Sequence, residues 1–181
     1  MELPKVIEAI WNDMQATRAQ VLKEATHLSQ RQADWRPAES EWSVGEIVHH
    51  LTIAETHTGK LTTKLVREAE AAGALAPYPA DLAAVDPLPP TGPEPAQAPP
   101  VVWPEHGRAL PELLADMKAV RERSRTSIEK IATLDPRRLA FKHFRLGDLN
   151  IAQWWMLQAQ HDGTHHQQIR DVKAAPGFPR G

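Results

Sequence analysis

No cysteine occurs in the 181 residues. Disulfides, thiolate metal ligands and a protein thiol nucleophile are therefore excluded. The chain also lacks an excess of charge of either sign: 21 basic and 23 acidic residues leave a formal charge of −2. A nucleic-acid partner held by electrostatics would need a basic balance that is absent here, and nothing points to an anionic membrane surface. No apolar run approaches the roughly 20 residues of a membrane span. The opening residues, Met1 to Lys5, have neither the basic stretch nor the apolar run of a secretory signal. These absences set the expectation of a cytoplasmic protein with no membrane or nucleic-acid partner. At 41% hydrophobic the chain is slightly poor in apolar residues. A chain of this length still buries roughly two thirds of its unfolded surface, enough for a core. One domain over residues 1–181 is expected.

What is present reads as helices. From Pro4 to Leu28, Val6, Ile10, Met14, Val21, Ala25 and Leu28 recur at helical spacing. The second helix has an explicit start: Ser43 caps it, Glu46 completes a capping box, and Trp42 with Ile47 has the spacing of a hydrophobic staple. Its stripe runs through Ile47, Leu51, Ala54, Leu61, Leu65 and Ala69 and ends near Gly73. Residues 77–104 then hold 10 of the 16 prolines and almost no helical pattern. Proline-rich chain is stiff and extended, about 3.1 Å per residue. The segment predicts a long crossover along the bundle, packed through Tyr78 and Trp103, that returns the chain to the end where the second helix began.

The third helix is predicted over about 107–132, with Leu110, Leu113, Leu114, Met117, Val120, Ile128 and Ile131 on one side. A connector over 141–149, read without a strand, leads to a second capping box, Asn150 with Gln153, and a staple, Leu149 with Trp154. The fourth helix runs to about Ala174, ahead of Pro176 and Gly177. Four amphipathic helices make the fold class all-α, a four-helix bundle.

Nine histidines are present, and three interrupt apolar stripes. In the fourth helix the stripe reads Trp154, Leu157, His161, His165, Ile169, Val172. The i, i+4 spacing places the imidazoles of His161 and His165 on one face, a geometry suited to two ligands of one metal. Two inward neutral imidazoles each need a buried partner and two protonated ones repel; a shared cation resolves both. In the second helix His50 lies about 40° from the inward Ala54, and His49 about 140° away, so His50 should point inward and His49 outward. His57 lies on the other flank of the stripe. A single inward histidine is more often an ordinary core or boundary residue; three on two helices favour a metal site, with His50, His161 and His165 as its ligands. The stretch from His161 to His165 also looks like the HExxH of zinc proteases. Asp162 there replaces the glutamate base, and Gln168 replaces the glycine that would turn the chain toward Asp171, so that reading is disfavoured.

Together these residues resemble the DinB-like superfamily. The resemblance rests on Trp35-Arg36-Pro37, on Trp42-Ser43-Val44-Gly45-Glu46-Ile47-Val48-His49-His50-Leu51, and on Gly147-Asp148-Leu149-Asn150 leading to His161 and His165-His166-Gln167-Gln168-Ile169. Each motif is weak alone; their order and spacing are specific and cover nearly the whole chain. The resemblance implies a bundle of unusual connectivity holding nickel, zinc or a similar ion, with iron or manganese as further options. Its ligands map to His50, His161 and His165. It implies thiol-dependent transferases and isomerases using bacillithiol, mycothiol or glutathione among the relatives, with homodimers common. The proline content of the crossover departs from the family pattern.

Three neutral nitrogen ligands leave a coordination position open, the pattern of catalytic metal sites. Such an ion lowers the pKa of bound water or thiol. Without cysteine, a sulfur nucleophile must come from a small-molecule thiol, so a metal-dependent thiol S-transferase is the leading expectation. A metal-dependent hydrolase, or a non-catalytic metal-binding stress or interaction protein, are the alternatives. No side chain is singled out as catalytic. His57 and Gln168 are candidates to support the site or touch substrate. Glu55 reads as a surface glutamate, Arg121-Glu122-Arg123 as a solvated helix face, and Trp154 and Trp155 as core and boundary packing.

Overall fold

The computed structural model describes residues 2–90 and 97–180. Its main helices are α1 (Lys5–Ala25), α3 (Val44–Ala71), α4 (Leu110–Ile131) and α5 (Ile151–Ala174), with a five-residue α2 (Gln30–Asp34) between the first two. Both expected capping boxes form: Ser43 with Glu46 opens α3, and Asn150 with Gln153 opens α5. A third, Ser29 with Gln32, starts α2, which is too short to show a periodic stripe.

The all-α bundle is as expected, with one small correction. The connector before α5 carries two four-residue strands, β1 (Ala140–His143) and β2 (Gly147–Asn150), paired antiparallel from Ala140–Asn150 to His143–Gly147. Four residues per strand are too few for alternation to register. Gly147, at φ +74°, supplies the left-handed residue that starts β2.

Side-chain neighbours fix the helix directions. Arg18 meets Asp162 and Glu24 meets Lys173, so α1 and α5 run parallel. Gly45 faces Leu113 and Gly59 faces Ser127, so α3 and α4 do too. Trp155 bonds Thr62 while His161 meets His50, which makes α3 and α5 antiparallel. Parallel α3 and α4 require a connection that travels the length of the bundle. On its way out, the crossover pairs Pro77 with Leu134, and Gln153 reaches the carbonyls of Asp86 and Pro87. On its return, Glu105 bonds His49 near the start of α3. Residues 91–96 of this crossover lie outside the described residues. Tyr78 packs on the core as expected, but Trp103 is 50% exposed and its indole donates to the nearby Ala98 carbonyl.

The core has two apolar clusters. One gathers Ile7, Met14, Leu65, Ile128, Ile151 and Trp155. The other gathers Val21, Ile47, Leu51, Leu113, Met117 and Ile169. Between them all four stripes are interrupted by charge: Arg18, Glu55, Arg121 and Asp162 are each buried. Glu55 is thus not a surface residue and Arg121 not part of a solvated face, because each neutralises the other inside the bundle. Arg18 donates to Asp162 at 2.9 and 3.0 Å and to Glu55 at 2.7 Å. Arg121 donates to Glu55 at 2.9 and 3.1 Å and to Asp162 at 3.1 Å.

Candidate metal centre

The site is built where α3 and α5 pass each other. His50 sits on the second turn of α3, and His161 and His165 are successive turns of α5. Their ligand-capable atoms lie within 4.8 Å of one another. The Nε2 atom of His161 stands 3.0 Å from that of His50 and 3.0 Å from that of His165. His50 is buried, and the other two are partly exposed.

The opposite edges of two rings are tied down. His50 Nδ1 lies 2.8 Å from the Val102 carbonyl, an obligate acceptor, so Nδ1 carries the proton and Nε2 a lone pair. His165 Nδ1 lies 2.6 Å from Gln168 Oε1 and is held in the same tautomer. These outer hydrogen bonds are the kind that orient imidazole toward a metal. Trp42 walls the cluster, its ring 4.7 Å from His50 and stacked at 6.2 Å on His165.

Electrostatics keep the rings neutral. Burial lowers His50 to about 4, aided by His165 and His49 and opposed by the Val102 carbonyl. Burial also takes His161 well below its ordinary value, with His165, His50 and Arg18 adding to the effect. His165 is lowered by burial against the pull of Gln168. Three neutral imidazoles then face each other with two lone pairs fixed by their tautomers. A proton on His161 Nε2 can satisfy only one of those two. The donor set suits a divalent cation of the zinc, nickel or iron type, so the trio could hold a metal.

Other residues singled out from the sequence fall elsewhere. His57 lies two turns along α3 and is not part of the cluster. His49 does point away from the trio, but the crossover covers it: it accepts from the Glu105 N–H at 2.9 Å and meets Arg108 at 3.2 Å. Asp162 turns from the histidines toward Arg18 and Arg121, and Asp171 accepts from Gln167. Neither carboxylate faces the cluster, so neither stands in for the base of a zinc protease. Two contributors escaped the sequence reading. The Val102 carbonyl comes from irregular chain whose path periodicity does not describe. Trp42 enters the sequence analysis as half of a staple and as part of a family motif, and neither signal places it against the histidines.

The model of the DinB superfamily matches residues 13–169. The chain belongs to the DinB superfamily. Its DinB fold is similar to the crystal structure of TT2238, a four-helix bundle protein, at a TM-score of 0.63 and 17% identity, over 91% of this chain and 98% of that one. No curated protein matches the chain. As a DinB superfamily member with three converging imidazoles, it is compatible with a divalent metal ion. No helix among its described residues is long and apolar enough to cross a membrane.

Proposed function

We propose that His50, His161 and His165 bind one divalent metal ion, nickel or zinc foremost, and that this centre serves a transferase using a small-molecule thiol as nucleophile. The observation that carries the proposal is the convergence of three neutral imidazoles, with His161 Nε2 3.0 Å from the Nε2 atoms of both His50 and His165. A divalent ion in a three-nitrogen site keeps a position open and, when bound, lowers the pKa of a thiol toward neutrality.

The chain's own residues have definite tasks in this reading. Val102 and Gln168 hold the rings of His50 and His165 in the tautomer that presents Nε2. Trp42 packs against two of the rings and keeps water from that side. The absence of cysteine supports an external thiol, since the chain has no thiol of its own.

The test is a panel of bacillithiol, mycothiol and glutathione against soft electrophiles, with protein loaded with nickel or zinc. Conjugation that needs both metal and thiol, and that disappears in His161→Ala, is the expected result. Turnover of substrates by water alone would replace the transferase by a hydrolase. No turnover across the panel with a fully loaded site would remove the catalytic reading.

A further inference from the structure

We infer that the groove between the C-terminal halves of α3 and α4 is a binding site for a small organic polyanion bearing phosphate or carboxylate groups. This groove is separate from the histidine cluster and holds about 940 Å³, within the size range of small-molecule sites. It exists because the facing stripes carry small residues where a bundle normally packs leucine. A Cβ built on Gly59 would meet only the Ser127 hydroxyl, at 3.8 Å.

The charge around this space is one-sided. Lys60, Lys64 and Arg67 line it from α3 and Arg123 from α4. Positions 60, 64 and 67 share one helix face and span about 10 Å at 1.5 Å per residue. That length suits two anionic groups on one ligand rather than a single ion. Two acids line the groove, and they leave most of this charge uncancelled. Glu55, at the inner end, is already paired with Arg18 and Arg121. Glu68 reaches only Lys64, at 3.9 Å. Among the described residues Lys60, Arg67 and Arg123 form no ion pair. Four cations therefore converge on one groove in a chain whose net charge is −2. A cleft lined by one sign of charge concentrates the opposite ion, and the Ser127 hydroxyl adds a donor on its wall. A second copy of the chain would bring an equally basic groove and be repelled, which favours a soluble anion as the occupant.

Isothermal titration of the full chain with pyrophosphate, tripolyphosphate and citrate tests this, and the preferred probe separates phosphate from carboxylate ligands. Two variants read the site in different ways. Lys64→Gln/Arg123→Gln removes charge at exposed positions. Gly59→Met fills the groove while leaving its charge intact, and a residue other than glycine favours the helix. Each is expected to weaken binding at least tenfold with helicity retained, while His161→Ala binds like wild type. Absence of binding by wild type, equal binding by both groove variants, or loss of binding in His161→Ala would overturn the assignment.

Discussion

Two buried polar clusters lie side by side in this bundle, and they differ in whether they are complete. Arg18, Glu55, Arg121 and Asp162 form a closed set: two cations and two anions with every carboxylate oxygen accepting from a guanidinium. Burial alone would raise the Glu55 carboxyl, but Arg18 and Arg121 outweigh it and hold the group below its ordinary value. One residue earlier on α5, His161 joins a set that is open, with lone pairs aimed at one point and too few protons to satisfy them. Self-sufficiency marks a structural cluster, and a deficit of positive charge marks a place for an external cation.

The largest effect should come from opening the closed set. Glu55→Ala leaves Arg18 and Arg121 buried without one of their two anions, which costs about 3–5 kcal/mol. For a chain of this size that is a fall of roughly 6–20 °C in Tm, measured on metal-free protein by thermal denaturation. A fall of a degree or two would show that the quartet is solvated and the contrast false.

The opposite behaviour is expected at the open set. His161→Ala in the metal-free protein should leave Tm close to that of wild type, because it removes a crowded lone pair rather than a satisfied partner. Added nickel or zinc should then stabilise only wild type, by about 2.7 kcal/mol at a hundredfold excess over Kd. Differential scanning calorimetry with and without metal checks both parts. Stabilisation of the variant equal to that of wild type would place the metal elsewhere.

These two clusters were unequally legible in the sequence. The histidines stood out because His161 and His165 occupy stripe positions bounded by Leu157 and Ile169, and His50 adjoins Leu51. Both capping boxes and the crossover were readable for a similar reason, since each is a local signal with a physical cause. The quartet was harder to see. Arg18 falls four residues after Met14 and Arg121 four after Met117, each in a stripe gap that reads equally as a helix turning its polar face outward. Only the meeting of four helices shows that the gaps coincide at one level. In the same way Val6 and Ile7 both fit the first stripe, and packing buries Ile7. The hold of Val102 on His50 depends on irregular chain, for which period and propensity say nothing.

A smaller effect sharpens the account of the histidine side. Gln168→Leu removes the acceptor of His165 Nδ1 and should weaken metal affinity by about 10–100-fold without unfolding α5. A competition titration with a chromophoric chelator reads this directly. Unchanged affinity would mean that Gln168 does not orient the ring.

A pH dependence is also expected. His50 titrates at about 4 when folded, against 6.5 ordinarily. Between those values the unfolded chain binds the extra proton, so stability of metal-free protein falls as pH drops from about 6.5 toward 4 and levels off below. Chemical denaturation at intervals across this window should show the slope, and His50→Ala should reduce it. A flat profile would mean that His50 is not held neutral by its surroundings.

The central claim is tested most directly by metal content, measured by mass spectrometry on protein purified without a histidine tag. Wild type is expected to carry close to one equivalent of nickel or zinc, or to take it up when offered. His50→Ala, His161→Ala and His165→Ala should each lose it while circular dichroism shows an intact bundle. A wild type that binds no divalent metal, or variants that keep it, would contradict the account.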